Sequence, residues 1–343
     1  MRAAEARTCR LTAAATTLGL ALFASAPLAG GPPPRWILAG VAPADSPLVQ
    51  RVAQPYAAAL GRIAGVRVQS RWSGIAGDEA SSLEATRRGK VHVWLGSAGA
   101  ISEHAPALGV LDAPYLFASA EELLRRATRA RLVTPAVEAL LAERGLTLVG
   151  APFLSGWRAI ETRAHRIVRP EDLRGLRLRT QPSPLNQKLW TQLGAKVMQL
   201  DMRDVALALR TGVIDAVDMP PLFLFASSAS GEIRHLTITR HVAQAGFVAF
   251  HAGTLAALPP KVRAAIEAET QSRLAAASKV GEELDADLIG LLRQQGVTVV
   301  TPGPDDLARW KAAMTASRAP VEALGPEAMR LHAALAAPHT ESH

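Results

Sequence analysis

Short β-branched runs alternate with stretches of helical period along most of this chain, and that alternation limits its fold more than any other feature. Trp36–Val41 reads as a strand, and Ser46–Ile63 as a helix with Ser46 as N-cap, Pro47 in its first turn and Gly65 beyond its end. Val66–Trp72 is a second strand, Asp78–Arg88 a helix stopped by Gly89, and Val91–Leu95 a third strand. Helices near Glu121–Arg129 and Pro135–Arg144 lead through Gly145 into the strand Thr147–Ala151. This order predicts an α/β fold, a parallel or mixed sheet flanked by helices with right-handed crossovers. A second set follows: strands Trp157–Thr162 and Leu176–Arg179 around a turn at Pro170, a helix Pro184–Leu193 ended by Gly194, and a strand Lys196–Gln199. Asp201 then caps a helix Met202–Thr211 that Gly212 terminates.

The length of 343 residues, 49% of them hydrophobic, supports a large core and favours two lobes over one. Residues Pro260–Gln295 carry one helical pattern, roughly 50 Å long at 1.5 Å per residue and suited to span two lobes. The other reading is two helices with a break at Gly281 or Gly290.

The N-terminus has the order of a secretory signal. Arg2, Arg7 and Arg10 precede an apolar stretch from Leu11 to about Ala29, closed by small residues. Cleavage is expected over a membrane anchor, because Pro27 and the Gly-Gly-Pro-Pro-Pro run break a helix where an anchor should continue. The one cysteine, Cys9, lies inside this segment, so the processed chain has no disulfide, thiolate nucleophile or cysteine metal site.

The formal charge of +8 raises nucleic acid as a partner. The basic residues are, however, interspersed with acids and not interleaved with aromatics, so no nucleic-acid role is expected. A catalytic reading also lacks its residues. No His pair has metal-ligand spacing, Ser97 in Gly96-Ser97-Ala98-Gly99 is not a nucleophile elbow, and no phosphate-cradling glycine loop follows a strand. Neither an enzyme nor a cofactor or metal site is expected.

Arginine placed on strands stands out instead. Arg158 sits in Ser155-Gly156-Trp157-Arg158, and Arg179 closes Gly175-Leu176-Arg177-Leu178-Arg179. In an alternating register Leu176 and Leu178 face a core while Arg177 and Arg179 share the other face. Arg179 stands at the carboxyl end of its strand, where open α/β sheets hold ligands, and its planar guanidinium grips a carboxylate with two parallel hydrogen bonds.

At these residues the chain resembles the DctP-type solute-binding proteins of TRAP transporters, from about Trp36 to Trp310. Pro170-Glu171-Asp172-Leu173-Arg174-Gly175-Leu176-Arg177-Leu178-Arg179 resembles the family's "PEDLKGLKIR" segment. Leu193-Gly194-Ala195 and Ala206-Leu207-Ala208-Leu209-Arg210-Thr211-Gly212-Val213-Ile214-Asp215 follow in the same order, as do Ile75–Glu79, Ala113–Phe117 and Leu236–His241. The resemblance implies a two-lobed fold like that of periplasmic binding proteins, with mixed sheets and a long helix spanning both lobes. The division it suggests is a signal peptide over 1–29, lobe I over 30–155 plus about 246–285, lobe II over 156–245 plus about 286–320, and a C-terminal tail over 321–343. It further implies a monomer in the periplasm that passes a small organic anion to the membrane subunits of an ion-driven TRAP permease. The family's clamping arginine falls on Arg179 and its supporting arginine on Arg158.

Several departures bear on the ligand. The family's "GQENP" reads Ala216-Val217-Asp218-Met219-Pro220, Met202 stands where an aromatic is common, Ser97 where some sugar-acid binders have an acid, and Val41 where a polar residue follows the first strand. With Phe247 and Asp218 these complete the candidate ligand-contact set. The changes point to a carboxylate with an apolar body; alternatively, Met219 and the apolar residues after it belong to the core. Other roles left open are the binding subunit of an ATP-driven importer and a sensory protein that presents its ligand to a receptor.

Overall fold

The computed structural model describes residues 33–200 and 202–337. The signal segment read at 1–29, Cys9 within it, and the Asp201 cap lie outside the described residues.

Two six-stranded mixed sheets organise the chain. The first contains β1 (Arg35–Gly40), β2 (Arg67–Arg71), β3 (Val93–Ser97), β4 (Leu146–Leu148), β5 (Phe153–Trp157) and β11 (Ala243–His251). The second contains β6 (Ala159–Thr162), β7 (Arg177–Thr180), β8 (Lys196–Gln199), β9 (Ala216–Met219), β10 (His235–Thr237) and β12 (Thr298–Val300). β1 runs parallel to β2 and β3, β11 antiparallel to β3, β4 and β5, and β7 parallel to β8 and β9. Side chains alternate as a two-residue period requires. Leu38, Val93, Val248 and Phe250 face one core with the long helix, while Trp94, Phe247 and Ala249 face another. On the second sheet, Ala159, Val217 and Met219 enter a third core, and Ile160, Leu178 and Ala216 a fourth.

The strand expected over Trp157–Thr162 is split at Arg158. β5 ends on Trp157 in the first sheet and β6 starts on Ala159 in the second, so one residue carries the chain from sheet to sheet. Beside this crossing runs a single helix, Pro260–Gln294, of 35 residues without a break. Gly281 lies within it because a Cβ there would come within 2.5 Å of the Leu154 carbonyl oxygen; its absence lets the helix press onto β5.

The helix expected over Ser46–Ile63 is present, but Val49–Ala53 forms a π-helical segment before the regular helix Gln54–Ala64. Ser46 Oγ accepts from Val49 N–H at 3.4 Å, and Gly65 closes the helix in the left-handed conformation at φ 66°. The tail expected over 321–343 needs correction. Helices Ala319–Glu322 and Pro326–Ala336 bury Val321, Leu324, Ala328, Leu331 and Leu335 in the first core. Their apolar residues complete a surface left bare by the 3-10 helix Pro106–Asp112, a contact with no local sequence signal. Among the described residues no helix is long and apolar enough to cross a membrane.

Candidate ligand-binding cleft

The carboxyl ends of β3 and β7 meet at a cleft of about 70 Å3, room for roughly five water-sized groups at ~10–15 Å3 each. Ser97, Ala100, Glu103, Asp78 and Glu79 line one side. Arg158, Arg179, Gln181, Met202, Met219 and Phe223 line the other, with Gln244 of β11 between them.

Arg158 is only 2% exposed, so its charge must be answered locally. Its Nε donates to Asp218 Oδ1 at 2.8 Å, its Nη2 to the Asp218 carbonyl at 2.5 Å, and its Nη1 to Gln244 Oε1. Asp218 also accepts from Trp190 Nε1 at 2.8 Å and Thr180 Oγ1 at 3.0 Å, and His241 Nε2 lies 3.1 Å from its Oδ1. Burial alone would raise the Asp218 carboxyl; the Arg158 charge and the bonds from His241 and Arg158 outweigh it and hold the group well below the usual carboxylate range. The result is a rigid, charge-balanced floor.

Arg179, on the face of β7 opposite Leu178, donates Nε and Nη2 to the Leu200 carbonyl at 2.9 and 2.8 Å, which fixes the guanidinium plane at the cleft wall. Arg177, on the same face, instead pairs with Asp215 through Nε at 2.9 Å and lies outside the cleft. Glu79 stands opposite. Ser97 donates to it through N–H at 2.9 Å and through Oγ at 2.7 Å. Burial raises the Glu79 carboxyl, with the Ser97 bonds and the Arg179 charge acting against that rise.

Of the residues singled out from sequence, Arg158, Arg179, Ser97, Met202 and Met219 come together around this cleft. Asp218 lies beneath it as the partner of Arg158. Two do not belong to the lining. Val41 is buried outside it, and Phe247 sits in the first core opposite Gly96, because the alternation of β11 turns it away from the cleft. Sequence reasoning missed Glu79, Gln181 and Gln244 as wall residues. Glu79 follows an N-cap aspartate and Gln181 stands two residues past Arg179, so position at an element's end was the available signal. Gln244 had none, since its partner Arg158 is 86 residues away. No cluster of His, Cys, Asp and Glu able to hold a metal occurs among the described residues.

The model of the bacterial extracellular solute-binding protein family 7, DctP, matches residues 38–321. A solute-binding protein of Verminephrobacter eiseniae is 27% identical over 261 residues, covering 75% of this chain and 74% of its own. Among solved structures, a TRAP periplasmic solute-binding protein of Sulfitobacter sp. NAS-14.1 with bound β-D-galacturonate superposes with a TM-score of 0.79 at 19% identity, over 88% of this chain and 99% of that one. A second, from Pseudomonas aeruginosa PAO1 with bound L-malate, gives 0.76 at 22% identity, over 83% and 98%. With the family model matched over most of its length, this chain belongs to family 7 of the bacterial extracellular solute-binding proteins, the DctP family.

Proposed function

We propose that this protein captures a small organic carboxylate in the cleft between its two sheets and hands it, chemically unchanged, to a TRAP-type permease in the membrane. On this reading it is exported by a cleaved N-terminal signal and acts as a monomer outside the cytoplasmic membrane. Its lobes are centred on the two sheets and exchange chain at Arg158 and again ahead of β11. The observation that carries the proposal is the placing of Arg179 and Arg158 together on one wall, both nearly buried and both held by protein acceptors. A preset guanidinium loses little freedom on binding an anion, and water expelled on closure strengthens the attraction.

The ligand we favour is a monocarboxylate with an apolar body. Met202, Met219, Phe223, Pro182 and Pro220 form the wall around the arginines, and of the acids on the facing wall Glu79 already has Ser97 on both oxygens. The acids bound in the two solved relatives are a hexuronate and a hydroxy diacid.

Calorimetry on the purified mature protein with galacturonate, L-malate, pantoate and phenylacetate tests the reading. One or more acids bind, the apolar ones tightest, and Arg179→Lys weakens that binding by about tenfold to a hundredfold. Lysine keeps the charge but loses the fork, at a cost of roughly 1.5–3 kcal/mol. Tight galacturonate binding with no response to phenylacetate removes the apolar body; unchanged affinity in Arg179→Lys removes the clamp.

A further inference from the structure

Gln181 reaches across the cleft. It follows β7 on the second sheet, yet its Nε2 donates to Asp112 Oδ2 at 2.6 Å, and Asp112 ends the 3-10 helix Pro106–Asp112 within the first core. Asn186, on the helix Pro184–Gln192, points its Nδ2 at the same oxygen from 3.5 Å. Asp112 is fully buried, its Oδ1 meets no hydrogen-bond partner among the described residues, and burial pushes its carboxyl up to about 6. A buried carboxylate this poorly supplied depends on the few amides that reach it.

The first half is also cut to receive that amide. Gly99 lies in the short helix Ala98–Ile101 and has no left-handed φ, so backbone conformation does not demand glycine there. Space does. A Cβ on Gly99 would stand 2.2 Å from Gln181 Nε2 and 2.6 Å from its Cδ. The seat (Gly99), the acceptor (Asp112) and the plug (Gln181) therefore come from opposite sides of the cleft, and the plug lies two residues from Arg179.

We propose that Gln181 is the latch of the closed form: its amide docks on Gly99 and Asp112 when the halves meet, positions the Arg179 segment, and slows ligand release. This rests on the proposed capture of a carboxylate between the halves. Gln181 acts through closure and needs no contact with the ligand.

The test uses the mature chain, which on the signal-peptide reading carries no cysteine. Spin labels on Lys90→Cys and Lys196→Cys, one exposed position on each half, report the distance between the halves by pulsed electron resonance. Without ligand, Gln181→Leu and Gly99→Ala shift the distribution to longer distances than the unaltered protein gives. With whichever of galacturonate, L-malate, pantoate or phenylacetate binds, both variants release it about tenfold faster or more, as expected for one lost bond to a charged acceptor. Gln181→Glu combined with Asp112→Asn reverses the pair and restores most of the slow release, which a merely structural defect would not show. Distance distributions identical to the unaltered protein in both single variants overturn the latch. If none of the four acids binds while those distributions still differ, the latch stands and the choice of ligand falls.

Discussion

The two walls of the cleft are built on opposite principles. The wall on the second sheet stores its charge in a network whose members fix one another: Asp218 holds Arg158 and takes bonds from Trp190 and Thr180, with His241 against the same carboxylate. The wall on the first sheet sets the acids Asp78, Glu79 and Glu103 among small residues, Ser97 and Ala100, and Ser97 donates to both oxygens of Glu79. One wall presents buried guanidinium groups and the other presents carboxylates among small side chains. The difference follows from what each buries, because the guanidinium of Arg158 survives desolvation only inside a complete set of acceptors, whereas Glu79 needs only the two donors of Ser97.

The comparison breaks most decisively at Asp218. Asp218→Ala leaves Arg158 buried without its countercharge and frees Trp190 Nε1, Thr180 and His241 at once. Breaking a buried pair in this way costs about 3–5 kcal/mol. Urea unfolding of the variant should show that loss, and a drop below about 1 kcal/mol would mean that the charged wall does not depend on the network.

A second test concerns the crossing that joins the walls. Asp285, on the long helix, accepts the Trp157 N–H at 2.6 Å immediately before Arg158. Burial raises its carboxyl from 3.8 to about 7, against the Trp157 N–H and Arg240, which lower it; Glu282 adds to the rise. A carboxyl raised on folding supports the fold fully below its unfolded value and loses that support as pH climbs through the folded one. The stability of the unaltered protein should therefore fall between about pH 4 and pH 7 on account of this group. Asp285→Asn keeps an acceptor for Trp157 and removes the titration. Relative to the unaltered protein, it should gain about 1–3 kcal/mol at pH 8 over its standing at pH 5. Parallel melting curves at the two pH values check this, and curves that stay in step would free the crossing from Asp285.

How much of this was legible in the sequence depended on separation along the chain. Arg179 and its facing followed from four residues of alternation, and the long helix from its own period. Arg158 was visible as a strand arginine, but its role as a one-residue link between the sheets was not, because Trp157–Thr162 reads as one unbroken strand until pairing partners are known. Asp112 and Gln181 are 69 residues apart, Arg158 and Gln244 86, and nothing local in either sequence neighbourhood announces the other. Phe247 illustrates the opposite failure. An aromatic near the expected site drew attention, and strand register sent it into the core.

Glu79 gives the smallest effect and the sharpest discrimination between the walls. Its carboxylate is part of the first wall, and it lies within reach of the field of Arg179. Glu79→Gln keeps one oxygen to accept from Ser97 and turns the other into a donor, so one charge-assisted bond is lost and the end of β3 loosens by about 1 kcal/mol. If the first wall supplies fit alone, the affinity for a bound carboxylate changes by less than about threefold, since the clamp on the second wall is untouched and one like charge has left the cleft. Thermal unfolding should then register the substitution while calorimetric titration hardly does. A tenfold or greater loss of affinity would place Glu79 on the ligand itself, as the acceptor for a hydroxyl, and would make the first wall a reader of chemistry as well as of shape.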